Sequence, residues 1–342
     1  MKPLFAYHPI EQQHSWDGHP EHRGRLSEAL RLIQKDGILH RFDAVPVEAL
    51  SLERLQRVHP LDHIAAVQEL AENGGGFIDA DTYVAPQSDE AALMAAGALA
   101  GLVEAVMQGK ARRGMSIMRP PGHHALANQA MGFCIFANVA IAARLAVEEL
   151  GARRVLIVDW DVHHGNGTES ILYEDPEAAF FSTHQYPFYP GTGALEDIGA
   201  GEGKGYNLNV PLPPGVGDAG YCRVFDEILK PYALHLEPDL ILVSAGYDAH
   251  WRDPLANEAL SLAGFAALTR KVMALADELC DGRLVLALEG GYNLEVLPHA
   301  ILNTLKLLEN PDIDPPDPFG EAPREDTPVD SLVAKVIALH RL

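Results

Sequence analysis

VLIVDWDVHHGNG (Val155–Gly167) reads as a buried strand that runs straight into a cluster of ionisable groups. Val155–Val158 is continuously apolar and three of its four residues are β-branched. That is the pattern of a strand covered on both faces, as in a parallel sheet, rather than of one with a wet side. Asp159, Asp161, His163 and His164 then follow within six positions. The same design recurs elsewhere. Gly114–Met118 leads into Arg119-Pro120-Pro121-Gly122-His123-His124, Leu240–Val243 into Ser244-Ala245-Gly246-Tyr247-Asp248, and Leu284–Leu288 into Glu289-Gly290-Gly291-Tyr292-Asn293. Leu4–Tyr7 and Ala179–Ser182 complete the strand candidates.

Stretches of helical period separate these strands: Ser88–Gln108, Asn138–Leu150, Gly220–Leu236, Ser261–Leu279 and Leu294–Leu308. Alternating strands and helices predict an α/β fold with a mostly parallel central sheet and helices on both faces. With no internal repeat and no break in composition, 1–342 is expected to be one domain. Residues 310–328, rich in Pro and Asp, read as an irregular connector, and 329–341 as a last helix that packs back on the body. Phe188–Gly205 is a long loop, of a length that is often functional. Within it, GAGEGKG (Gly199–Gly205) is not a phosphate loop, because Ile198 and Gly205 stand where that motif needs Gly and Ser or Thr.

The formal net charge is −22, with a pI near 5.0. No basic footprint for nucleic acid is present, whereas an acidic surface attracts cationic substrates. Three distant cysteines, Cys134, Cys222 and Cys280, form no CxxC pair and read as small core hydrophobes. No basic stretch followed by an apolar run opens the chain, and no uninterrupted apolar run approaches a membrane span. A cytoplasmic protein without membrane partners is expected. Oligomeric state is open.

In an open parallel sheet the C-terminal strand ends lie along one edge, where ligands bind. Asp161 and His163, two apart at a strand end, should point to the same side, with Asp248 best placed to join them. Two Asp and one His leave an open position and suit a catalytic zinc, though Fe2+ or Co2+ would also be accepted. His123 and His124, stiffened by the preceding prolines, can exchange protons at neutral pH. Asp159 and Asn166 are the candidates to fix their tautomers. Tyr292, after Gly290-Gly291, could aim a phenol at a developing oxyanion.

The segments RPPGHHA (Arg119–Ala125), GFC (Gly132–Cys134), VDWDVHHGNGT (Val158–Thr168), YPGTG (Tyr189–Gly193), SAGYDAHWRDPL (Ser244–Leu255) and LEGGYNL (Leu288–Leu294) resemble the histone deacetylase family. The class II and bacterial amidohydrolase members, acetylpolyamine amidohydrolase relatives among them, are the most similar. The resemblance runs from about His19 to Leu308 and implies the arginase–deacetylase fold. It implies zinc on Asp161, His163 and Asp248, with His124 as general base and then acid. His123 would be its electrostatic partner on Asp159, and Asn166 would orient His124. Tyr292 would polarise the acetyl carbonyl. Phe133 and Tyr189 would wall an apolar tunnel, with the Gly132 carbonyl near its end. A potassium ion on Asp159, Asp161, His163 and Ser182 is also implied.

The expected reaction is hydrolysis of an N-acetyl amide on an acyl-lysine side chain, releasing acetate and the free amine. Acetylpolyamines or other small acylated amines are the alternative substrates. Leu255 stands where polyamine-selective relatives carry an acidic gatekeeper, which ranks acetylated lysine peptides or proteins first. RDPLANEAL departs here from the GDPLGG form common in the family. A non-catalytic acyl-lysine binder should lack a ligand, the base or the tyrosine, and none is missing. A two-manganese ureohydrolase would leave His124 and Tyr292 unexplained.

Overall fold

A computed structural model describes all residues, Met1–Leu342. Its ten strands are β1 (Leu4–Ala6), β2 (Asp43–Ala44), β3 (Gly76–Phe77), β4 (Tyr83–Val84), β5 (Arg113–Ser116), β6 (Val155–Asp159), β7 (Ala178–Gln185), β8 (Asn207–Leu212), β9 (Leu240–Ala245) and β10 (Leu284–Leu288). Eight of them form one sheet in the order β2-β1-β5-β10-β9-β6-β7-β8, and every pairing in it is parallel. β3 and β4 form a separate antiparallel hairpin.

The continuous apolar runs have the predicted consequence. Successive strand side chains point to opposite faces, so Leu156 and Val158 enter one core while Val155 and Ile157 enter the other. β9 and β10 divide in the same way. Helices Ser88–Met107 and Asn138–Glu148 cover one face. Leu262–Leu279, Val296–Glu309 and Gly24–Asp36 cover the other. Ser88–Met107 has the length and apolarity of a membrane span, but 61% of its apolar window is buried. It is a core helix, and Asp89, Glu90 and Glu104 interrupt its apolar sequence.

Several boundaries differ from expectation for local reasons. β7 continues three residues past Ser182, because polar Thr183, His184 and Gln185 are all buried. His184 is satisfied there by Ser182 Oγ at 2.9 Å and the Gly193 carbonyl at 2.9 Å. β8, not expected at all, tolerates Pro211 because it is an edge strand. The helix after β10 starts at Val296, not Leu294, since the Asn293 carboxamide oxygen accepts from the Glu295 and Val296 N–H groups, as a capping Asn does. The helix expected at Gly220–Leu236 begins at Asp218 and passes through a π-helical turn at Phe225–Leu229.

The segment 310–328 is irregular but tethered. The Arg324 guanidinium donates to the Asn257 and Glu258 carbonyls, and Asp326 accepts from the Gly217 and Gly220 N–H groups. After it, helix Asp330–His340 buries Val333 and Val336 in the core. Cys134 and Cys280 are buried as expected, whereas Cys222 is only half-buried.

The N-terminal segment contributes a buried ion network. The Arg119 guanidinium donates to Glu21 (2.5 Å) and Glu11 (2.8 Å), and Arg25 pairs with the other Glu21 oxygen. All four side chains are fully buried. Such a network holds because every charge is matched; removing one partner strands a charge at a cost of about 3–5 kcal/mol.

Candidate active site

The strands bearing the chemical groups are neighbours, β5-β10-β9-β6, so their C-terminal ends form one contiguous stretch of sheet edge. Asp161, His163 and Asp248 meet there. His163 Nδ1 lies 3.2 Å from Asp161 Oδ1 and 3.2 Å from Asp248 Oδ2. The convergence has a different cause from strand alternation, since β6 ends at Asp159. Asp161 Oδ1 also accepts the His163 backbone N–H at 2.9 Å, so a turn brings the two side chains together. Asp248 is anchored in turn by the Val162 N–H at 2.9 Å.

Two fully buried carboxylates facing each other demand a cation. Burial by itself would discharge His163, but hydrogen bonds and charge from Asp161 and Asp248 hold it protonated up to about 10. The imidazolium thus supplies a positive charge that a divalent ion would supply with His163 neutral. One nitrogen and two oxygen donors, with all their ligand atoms within 4.8 Å of one another, fit zinc or a similar ion. A methyl group in place of a hydrogen at Gly290 would collide with the carboxylates of Asp248 and Asp161, so only glycine lets β10's end pass this close.

The two histidines after β5 are differentiated by their partners. His123 Nδ1 lies 3.1 Å from Asp159 Oδ2, and His124 Nδ1 lies 2.7 Å from Asn166 Oδ1. Burial opposes charge on His123, yet Asp161 and Asp159 outweigh it and push the ring up to about 10. His124 goes the other way. Burial first, then the nearby His123 and His163 charges, holds it well below the usual histidine range. It is therefore neutral at pH 7. With Nδ1–H donating to Asn166, its Nε2 keeps a lone pair that no protein donor engages. Its ring is 4.0 Å from that of His123 and 6.0 Å from that of His163.

Aromatic rings surround the approach. Tyr189 meets the His124 ring edge-on at 5.3 Å, and Phe133 meets Tyr292 edge-on at 5.7 Å. Phe133 has φ 69°, a conformation costly for a bulky residue. Thr82 Oγ accepts its N–H at 3.1 Å and helps to hold it. Gly132, at φ 56°, lies so close under the His124 ring that a Cβ would clash with it. Tyr292 stands on the turn after β10 with its hydroxyl free of protein partners, and the Arg25 guanidinium lies 4.7 Å from its ring centre. Leu255 is half-buried on the adjoining loop.

For the potassium expectation, Ser182 is the register partner of Asp159 on neighbouring strands. Its hydroxyl, however, is engaged by His184 Nδ1 at 2.9 Å rather than by Asp159.

A model of the histone deacetylase domain matches residues 19–308. This chain belongs to the histone deacetylase family. A probable deacetylase of Archaeoglobus fulgidus is 40% identical to it over 298 residues, covering 86% of this chain and 82% of that one. A histone deacetylase-like amidohydrolase of Pseudomonas aeruginosa is 40% identical over 290 residues, covering 84% and 76%. Chloroplastic histone deacetylase 14 of Arabidopsis thaliana is 41% identical over 312 residues, covering 86% and 74%. Among solved structures, the crystal structure of the HDA15 HD domain superposes with a TM-score of 0.90 at 33% identity, over 99% of this chain and 95% of that one. The protein is a hydrolase of the deacetylase class.

Three groups in this deacetylase were given no role from sequence. Phe188 stacks on the His163 ring at 5.5 Å and 17°. Glu289 Oε2 accepts the Gly122 and His123 N–H groups at 2.7 and 3.2 Å, and so ties β10's end to the histidine turn. Asp253 accepts the Tyr292 N–H at 2.8 Å. Glu289 carried a legible signal, as a carboxylate ending a buried strand, and Asp253 carried one as the Asp of the RDPL segment; Phe188, in an irregular loop, carried none.

The Asn166 contact makes a pH prediction. In an Asn166→Asp variant a carboxylate replaces the amide beside His124 Nδ1 and stabilises the imidazolium, raising the pKa. A base with a higher pKa is lost at higher pH. The acidic limb of kcat/KM should therefore move up by roughly one pH unit. An unmoved limb would show that His124 is not the group titrating there.

Proposed function

We propose that this deacetylase hydrolyses the N-acetyl amide of acyl-lysine side chains with a zinc ion on Asp161, His163 and Asp248. The observation that carries the reading is the placement of His124, hydrogen-bonded to Asn166 at 2.7 Å and 6.0 Å from the ring of His163. A divalent ion held by those three residues supplies Lewis acidity toward a carbonyl and a water.

The chain's own groups do the rest. His124 Nε2 takes a proton from the attacking water and later returns it to the departing amine, and Asn166 keeps Nδ1–H in the tautomer this needs. His123, held positive by Asp159 and Asp161, stabilises negative charge beside it. Tyr292 donates its free hydroxyl to the oxygen where negative charge develops. Phe133, Phe188 and Tyr189 offer an apolar passage for an aliphatic stem and exclude water from it.

Leu255 supports a lysine stem over a polyamine, since an aliphatic side chain cannot select a second cationic centre. The acetylpolyamine reading draws on the acidic β3–β4 hairpin, whose Asp81 and Asp79 lie close enough to Tyr189 to add to burial in pushing its hydroxyl above the usual phenol range. Acetate release by the zinc-loaded enzyme from an acetyl-lysine peptide and from acetylspermidine decides between them. The peptide should be preferred at least about tenfold, and Leu255→Glu should shift the ratio toward acetylspermidine by about tenfold, the worth of one partly desolvated ion pair of about 1.4 kcal/mol. A native preference for acetylspermidine by the same factor would reverse the assignment.

A further inference from the structure

The tyrosine turn is held from both sides by its backbone. On one side the Arg25 guanidinium donates to the Glu289 carbonyl at 2.6 Å and the Gly291 carbonyl at 2.8 Å. The Gly290 N–H donates to Asp161 Oδ2 at 2.8 Å, and its carbonyl accepts the Tyr247 N–H at 3.1 Å. On the other side Asp253 Oδ2 accepts the N–H groups of Tyr292 and Asn293, at 2.8 and 3.2 Å. Its second oxygen, Oδ1, accepts the Leu255 N–H at 3.0 Å. One buried carboxylate therefore joins the turn that carries Tyr292 to the loop that carries Leu255.

The Tyr292 hydroxyl has no protein partner that could place it. Its position follows from the backbone frame at residue 292 and from the rings that flank it, Phe133 at 5.7 Å and Arg25 at 4.7 Å. A rotation of that frame by about 10° carries a phenol oxygen through roughly 1 Å, and a misplacement of that size can cost about a hundredfold in rate. The Asn293 side chain reinforces the same junction, donating to the Arg252 carbonyl at 2.7 Å.

We infer that Asp253 is a positioning residue for the reaction: its carboxylate sets the Tyr292 hydroxyl toward the scissile carbonyl and couples the substrate rim at Leu255 to that placement. The inference rests on the reading of Tyr292 as the oxyanion donor. It touches neither substrate nor metal, so the loss should fall on turnover rather than on substrate affinity.

A double-mutant cycle with Tyr292→Phe tests it, using the zinc-loaded full chain and an acetyl-lysine peptide. Asp253→Ala should lower kcat by about 30- to 100-fold with KM changed less than about threefold. Asp253→Asn keeps a carbonyl oxygen for the Tyr292 and Asn293 N–H groups but turns an NH2 toward the Leu255 N–H. It should recover part of the rate, to within about tenfold of the native enzyme. In a Tyr292→Phe background, Asp253→Ala should cost less than about a further threefold, because the group it positions is gone. Equal losses in both backgrounds would overturn the inference while leaving the role of Tyr292 intact. If Tyr292→Phe itself left kcat unchanged, the oxyanion reading would fall and the positioning role with it. Thermal melting accompanies each variant, and Asp253→Asn carries the cycle if Asp253→Ala does not fold.

Discussion

Replacing Tyr292 with phenylalanine lowers kcat for acetyl-lysine hydrolysis by about 10^2- to 10^3-fold, the usual worth of one oxyanion donor, and leaves the melting temperature within a few degrees. The two halves of that expectation come from one fact. The hydroxyl makes no hydrogen bond to the protein, so nothing in the folded chain loses a partner when it goes. The ring contacts to Phe133 and Arg25 survive in phenylalanine. What disappears is a donor that acts only when charge builds on the substrate oxygen, and an interaction made only in the transition state is read in kcat and kcat/KM together. Steady-state kinetics beside a thermal melt provide the check. A variant that kept more than a third of the native kcat would remove Tyr292 from the chemistry.

Asp161→Asn should be more damaging, leaving less than about 0.1 metal per chain and reducing activity by three orders of magnitude or more, since both the Lewis acid and its acidified water go with the ion. Asp161 also accepts two backbone N–H groups besides facing the His163 ring. It accepts the His163 backbone N–H at 2.9 Å and the Gly290 N–H at 2.8 Å, and it lies 3.2 Å from His163 Nδ1. Asparagine can keep one of its two oxygens as an acceptor, but it removes the negative charge that draws a cation between Asp161 and Asp248. Elemental analysis of purified protein, before and after zinc addition, reads the effect directly. Native enzyme stripped by a chelator should recover on adding zinc, and the variant should not. Stoichiometric metal in the variant would move the metal elsewhere in the chain.

The smaller effects divide along the same site. Asn166→Asp changes the proton affinity of the base, Leu255→Glu the substrate ratio, and Asp253 the aim of the tyrosine. Each is read by a different measurement, so one failure does not disguise another.

The sheet and its functional edge were legible in the primary structure because burial on both faces leaves a strong trace. Val155–Val158, Leu240–Val243 and Leu284–Leu288 can sit nowhere but inside, and the pattern breaks at once with Asp159 and Glu289 after two of them and within a few residues, at Asp248, after the third. Asp161, His163 and Asp248, the histidine pair and Tyr292 all sit within a few residues of strand ends. What proved hard to read was held together by contacts between distant segments. β8 is an edge strand with an internal proline, and Thr183–Gln185 extend β7 with polar groups whose partners are found only across the fold. Phe188 stacks on His163 from an irregular loop.

The chain alone therefore determined which polar groups gather at one edge of the sheet, because a strand end fixes where its next few residues emerge. Only the tertiary structure decided how the two histidines differ: burial and the charges of His123 and His163 drive His124 down, whereas Asp161 and Asp159 outweigh burial at His123 and drive it up. It likewise decided that Asp253, far from Tyr292 in the chain, holds that residue's N–H. Hydrogen-bond partners and desolvation are properties of three-dimensional neighbours, and residues 39 positions apart become neighbours only when the loops after β9 and β10 fold against each other.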